Sequence, residues 1–273
     1  MRANALRLSI QNMSTSTSNY RLFGIDFSQN PEQKELIRLI NDDPERTPVV
    51  FCRGSAGTGK TFASLAACLN LVRGKGSKKR YKNIFYVREP VEIGHRLGYL
   101  KGTATDKYGP YLGPLMDNYD HLMEHAAPEE QGASYKLMRK KAKKEVDDEI
   151  YESSYYEKLP SDIIPLAPEF MRGRSFDNCL IILDEAQNMD LDELQTMVTR
   201  IGNACKMVII GSPNQIDVQG QTPEKNAFDI SYEILKPTGL VGFVELSRPM
   251  RTSFVVDFDL RFLEYKLKNK DKK

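Results

Sequence analysis

The sequence predicts an α/β fold, a mostly parallel sheet of about five strands with helices on both faces. Two observations carry this. Continuous apolar runs such as "TPVVFC", "NCLIILDEAQ" and "KMVIIGSPNQ" alternate with helical patterns, and a strand apolar on both sides belongs inside a covered parallel sheet. The first of these runs leads into "GSAGTGKT" and then into "TFASLAACLNLV", which is the strand–loop–helix setting of a phosphate-gripping loop.

In chain order, residues 1–25 read as a flexible lead-in, polar through "QNMSTSTSNY". "NPEQKELIRLIND" reads as a helix, with Asn30 as N-cap and Pro31 at its first position. The first strand, the glycine loop and its helix follow. "GKGSKKR" is a basic turn and "KNIFYVREPV" a second strand. Residues 94 to about 120 are rich in Gly, Pro and Tyr and read as a long ordered loop with short helices. A charged, helical insertion covers 134–158. "NCLIILDEAQ" is the third strand, "LDELQTMVTRI" a helix, "KMVIIGSPNQ" the fourth strand and "GLVGFVELSR" the fifth. "TSFVVDFDLRFLEYKL" closes the chain as a helix, before a basic tail at 268–273. Residues 26–267 are expected to form a single domain.

Composition sets bounds. At 273 residues and 40% hydrophobic, the chain can bury a sizeable core. The net charge of +2 does not announce a nucleic-acid partner, so any basic surface must be local. "GKGSKKRYK" and "YKLMRKKAKK" are such clusters, although the acidic "EVDDEIYE" that follows the second can neutralise it. Cys52, Cys68, Cys179 and Cys205 are widely spaced in apolar runs, which argues against a zinc site and for buried thiols in a reducing, cytoplasmic setting. No apolar run approaches about 18 residues, so no membrane span is expected, and the N-terminus has no signal-peptide core.

The glycine loop carries the first half of the chemistry. Gly54, Gly57 and Gly59 let the backbone turn N–H groups inward, with Ser55, Ala56, Thr58 and Phe62 completing the ATP-binding stretch. Lys60 brings a point charge to the outer phosphates and the Thr61 hydroxyl can ligate Mg²⁺. A chance match to this pattern arises in roughly one chain in a hundred of this size. The second half is Asp184-Glu185 at the end of an apolar run. Asp184 suits a Mg²⁺ anchor, and an adjacent Glu suits polarisation of an attacking water. This pair favours hydrolysis over phosphoryl transfer to a small acceptor. A guanine reader is missing, because "NKDK" at 269–272 has the wrong order. Gln215 can sense the γ-phosphate and Gln33 can read adenine, though a solvated glutamine is the plainer reading of each.

Several long stretches resemble one family. "VREPVEIGHRLGYLKG", "PLAPEFMRGRSFDNCLIILDEAQN" and "TRIGNACKMVIIGSPNQID" stand in the order seen in the PhoH-like ATPases, over roughly residues 28 to 267. The chain departs from the family at Ser212, where an Asp is usual, and at "RPMRTSF", where Arg251 or Arg248 stands for the family arginine. "PLAPEFMRGR" carries one extra residue and the 134–158 insertion has no counterpart. The resemblance extends to the first motor domain of superfamily-1 helicases. It implies a RecA-like P-loop NTPase, ATP and Mg²⁺ as cofactors, and coupling to single-stranded RNA or DNA. It implies that Gln33 contacts adenine, Asp184 anchors metal, Glu185 is the base and Gln215 the γ-phosphate sensor.

One motor domain cannot close such a site alone. A completing arginine, worth about 10³–10⁵ in rate where tested, then comes from a neighbouring subunit or is absent. This predicts a homo-oligomer, a hexameric ring being one form, with Arg172, Arg174, Arg200, Arg248 and Arg251 as candidates for trans-acting or nucleic-acid contacts. The plainer reading of each is a surface salt bridge. An alternative function is an ATP-dependent protein remodeller or assembly factor with no nucleic-acid client. A small-molecule kinase is disfavoured by Asp184-Glu185.

Overall fold

The computed structural model describes residues 20–74, 80–89, 109–131, 159–212, 215, 226–250 and positions 254, 255, 257, 258, 261, 262 and 265. Six parallel strands form the central sheet: β3 (Val49–Gly54), β4 (Ile84–Arg88), β5 (Ile163–Leu166), β6 (Leu180–Asp184), β7 (Lys206–Gly211) and β8 (Val241–Leu246), in the order β5-β4-β6-β7-β3-β8. β7 separates the strand that ends in the glycine loop from the strand that ends in Asp184. The sheet is parallel as expected, with six strands where about five were expected, and its order leaves a crevice at the carboxyl ends of β3, β7 and β6.

Alternation along the strands builds two cores. Val50, Cys52, Ile84, Tyr86, Ile182, Val208 and Ile210 face one layer. Phe51, Val87, Ile181, Leu183, Met207 and Ile209 face the other. The first layer is covered by α1 (Pro31–Asn41), α2 (Lys60–Arg73) and α3 (Gly113–His125), the second by α4 (Leu191–Val198) and α5 (Ala227–Leu235). Asn30 caps α1 as expected, its side chain accepting from the N–H groups of Glu32 and Gln33 at 3.0 and 3.3 Å.

Three elements differ from expectation. The stretch expected to be a long loop with short helices through about residue 120 holds a longer helix, α3, whose buried Leu115, Met116, Tyr119, Leu122 and Met123 follow helical spacing. Its Gly113-Pro114 start sits where Pro is tolerated, in the first turn. β5 was not expected at all. It contains Pro165, which an edge strand accommodates because one side of the ladder is unpaired. The flexible lead-in expected to reach residue 25 gives way earlier to a hairpin, β1 (Arg21–Leu22) and β2 (Ile25–Asp26), turned by Phe23 and Gly24 with φ of 50° and 79°. Leu22, Phe23 and Phe27 are buried against the first core. The 134–158 insertion and the tail lie outside the described residues.

Lys206 opens β7 with its side chain fully enclosed, and its ammonium donates to the carbonyls of Leu39 and Asp42 at 2.8 and 2.7 Å. It thereby caps the C-terminal end of α1 and fixes that helix to the sheet. Burial pulls its pKa from 10.5 to about 8, only partly opposed by the Asp42 carboxylate. The folded state therefore binds fewer protons than the unfolded chain between those two values. Below pH 8 the full cost of burying the charge is present, up to about 3 kcal/mol. Stability should rise as pH increases from 8 toward 10.5, since the neutral amine keeps both donors. Denaturant unfolding of wild type against Lys206→Met at pH 7 and at pH 9.5 checks this, with wild type expected to gain on the variant.

Candidate nucleotide site

β3 ends in Gly54, the chain turns through left-handed Gly57 and Gly59 (φ 74° and 81°), and α2 starts at Lys60. Glycine permits both φ values at little cost. The turn is braced from inside: Thr58 is buried and its hydroxyl donates to the Ser55 carbonyl at 2.9 Å. Lys60 lies under the loop, its Nζ donating to the carbonyls of Gly54 and Ser55, both at 2.8 Å. The first amides of α2 have no intrahelical acceptor and present a positive helix end. Loop, ammonium and helix end together form a cradle whose chemistry suits an anion such as a phosphate group.

Across the crevice, Asp184 ends β6. The Thr61 hydroxyl donates to its carboxylate at 3.2 and 3.3 Å, and the Tyr86 hydroxyl donates to Oδ2 at 2.6 Å. Register brings Arg88 of β4 opposite Asp184. Its guanidinium lies 4.0 Å from Asp184 and 3.6 Å from Glu185. Burial and the neighbouring Glu185 charge push the Asp184 carboxyl above the usual range, while Tyr86, Arg88 and Thr61 pull it back. The hydroxyl and carboxylate oxygens of Thr61 and Asp184 are hard donors suited to Mg²⁺, which binds through few protein ligands and keeps water and phosphate oxygens. Among the described residues no group of three or more His, Cys, Asp or Glu could hold a metal unaided.

Glu185 takes a left-handed conformation, φ 56° and ψ 36°. A non-glycine residue there is strained, and such strain gathers at functional sites. The conformation turns its side chain out of the strand, where Gln187 Nε2 donates to Oε2 at 2.6 Å. Ser212, past the end of β7, donates through Oγ to the Gly54 carbonyl at 2.8 Å. An ionised carboxylate in its place could not make that bond, so Ser212 joins β7 to the root of the phosphate loop through its hydroxyl.

The other expected residues are placed as follows. Gln33 is buried against the loop, its Nε2 donating to the Thr58 carbonyl at 3.2 Å. Gln215 reaches the site through its backbone, its carbonyl accepting from Gln187 at 3.2 Å, and is exposed. The half-buried Phe62 ring packs on Phe27 and His121, at 5.9 and 5.3 Å between centroids. Arg174 stacks over Phe176 and Phe85. The carbonyl of Arg200 accepts from the Phe176 N–H, at the amino-end side of β6 and away from Asp184. Arg172 is exposed. The Arg248 N–H donates to Glu32 beside Ser247, which donates to Glu32 through both N–H and hydroxyl. This holds a strap whose Met250 N–H donates to the Gly57 carbonyl at 2.7 Å. Arg251 lies outside the described residues. Tyr86, Arg88 and Gln187 were missed as site residues; the one signal was a tyrosine and an arginine within and at the end of an otherwise apolar strand.

The "PhoH-like protein" family model matches residues 27–255. The chain belongs to the PhoH-like family. A PhoH-like protein of Mycobacterium tuberculosis (strain ATCC 25618 / H37Rv) is 31% identical over 229 residues, covering 82% of this chain and 56% of that protein. Protein PhoH2 of Bacillus subtilis (strain 168) is 31% identical over 231 residues, covering 85% and 46%. This PhoH-like chain thus spans about half the length of the curated relatives it matches. A solved structure of Bacteroides sp Pif1 shares 17% identity and a TM-score of 0.35, covering 84% of this chain and 44% of that one. No helix among the described residues is long and apolar enough to cross a membrane.

Proposed function

We propose that this PhoH-like chain is a Mg²⁺-dependent ATPase whose turnover is coupled to single-stranded nucleic acid, RNA before DNA. The observation that carries the hydrolysis reading is the meeting of Lys60, Thr61, Asp184 and Glu185 at one crevice, from strands that β7 keeps apart. Lys60 and the α2 amides would hold the phosphates, and Thr61 with Asp184 would hold Mg²⁺, which neutralises charge on the transferring group. Glu185 would take a proton from the attacking water, with Gln215 beside it as γ-phosphate sensor. Gln33, against the loop, would read adenine. The reading includes a homo-oligomer, up to a hexameric ring, in which Arg172, Arg248 or Arg251 of a neighbour completes the site. Four buried free thiols suit a reducing, cytoplasmic compartment.

The test is ATP turnover with and without single-stranded RNA and DNA. Stimulation by one strand type names the track; hydrolysis indifferent to both removes the nucleic-acid coupling. One observation favours the second reading, a protein client. Phe254, Phe258, Phe262 and Tyr265 are exposed at helical spacing, with the phenylalanine rings in a row at 6.2 and 4.8 Å. Such a row suits a protein surface better than a phosphate backbone.

A further inference from the structure

We propose that Gln187 is a positioning residue of this centre, holding the Glu185 carboxylate in register with the end of β7; the proposal rests on the ATPase reading above. Gln187 is 1% exposed, and its amide is used on both sides. Nε2 donates to Glu185 Oε2 at 2.6 Å and to the Gln215 carbonyl at 3.2 Å. Oε1 accepts from the Ser212 N–H at 2.9 Å. The amide cannot be reversed, because Oε1 would then face a carboxylate and Nε2 a backbone donor. Its backbone is pinned as well, the carbonyl accepting from Asn226 Nδ2 at 3.0 Å.

Glu185 needs such a holder. Its side chain is 34% exposed, and Arg88, at 3.6 Å from Oε1, reaches the other oxygen. Gln187 is the short, directional contact of the two. Through Ser212 the path continues to the Gly54 carbonyl under the phosphate loop. The base is thus referenced to the phosphate cradle by side-chain and backbone hydrogen bonds, beyond the covalent chain. A base displaced by about 1 Å loses on the order of 10²-fold in rate.

The experiment uses the full chain with three variants. Gln187→Met keeps the bulk and removes every polar contact of the amide. Gln187→Glu keeps an acceptor for Ser212 but sets a carboxylate against Glu185. The swap Glu185→Gln/Gln187→Glu restores one N–H···O bond in the reverse sense. Expected are a kcat lowered about 100-fold in Gln187→Met and Gln187→Glu with KM unchanged, and a swap that melts higher than Gln187→Glu alone while hydrolysing ATP no faster than Glu185→Gln. The swap's melting point is read even if Gln187→Met fails to fold. Wild-type kcat in both single variants, a change in KM alone, or a swap no more stable than Gln187→Glu overturns the proposal. Wild type that hydrolyses no ATP under any condition overturns the ATPase reading and this one with it. An active wild type beside unaffected variants overturns only the role of Gln187.

Discussion

Glu185→Gln is expected to slow ATP hydrolysis by about 10²–10⁴-fold while nucleotide still binds, and Lys60→Ala to weaken both binding and turnover. The two variants separate because the groups act at different moments. Lys60 already lies beneath the loop, with Nζ donating to the Gly54 and Ser55 carbonyls, so its charge is in place before phosphate arrives. Its removal takes a fixed cation from the ground state and the transition state alike. Glu185 makes no contact with the loop. Its left-handed backbone and its bond to Gln187 turn it out of the strand, where, as the proposed base, it would act on the water alone. Filter binding of labelled ATP together with steady-state phosphate release reads both effects. A Glu185→Gln variant at wild-type rate would remove Glu185 as the base.

Gly54→Ala is the second large effect expected, and backbone conformation is not its cause. A Cβ at Gly54 would stand 2.4 Å from the Leu246 carbonyl oxygen and 3.0 Å from Thr58 Oγ1. The first is backbone of β8, paired in register with Gly54, and cannot swing aside. The Gly54 carbonyl is also where Lys60 and Ser212 converge. Pushing β8 outward should cost about 1–3 kcal/mol of stability and disorder the cradle, with loss of ATP binding. Thermal melting with and without ATP checks it: the variant should melt lower and gain nothing from ATP. Wild-type affinity would show that the loop tolerates the displaced strand.

Some of the site was legible because its signal is local. Three glycines, a lysine and a threonine within one turn and the start of a helix state their chemistry without reference to the rest of the chain. Asp184 and Glu185 were legible for the same reason, standing at the end of an apolar run. Tyr86 was not, because its partner Asp184 is 98 positions away and meets it only through the pairing of β4 with β6. Arg88 escaped by the same pairing. Gln187 is close in sequence to Glu185, but its importance comes from the Ser212 N–H and the Gln215 carbonyl on another strand's exit. α3 was obscured by its Gly, Pro and Tyr content, although its buried positions kept helical spacing. β5 was hidden by Pro165, a residue that argues against a central strand and is neutral at an edge.

By itself, the sequence determined the alternation of strands and helices, the phosphate loop and the acidic pair, because each depends on periodicity or on a few adjacent residues. Strand order was decided only by the tertiary structure. Inserting β7 between β3 and β6 opens the crevice, and the pairing of β4 with β6 supplies Tyr86 and Arg88 to the acidic pair. The turned-out Glu185, the buried amide of Gln187 and the Ser212 link to Gly54 all follow from that order. The physical reason is that hydrogen bonds between distant segments carry no local pattern: they exist once packing has chosen which strands are neighbours.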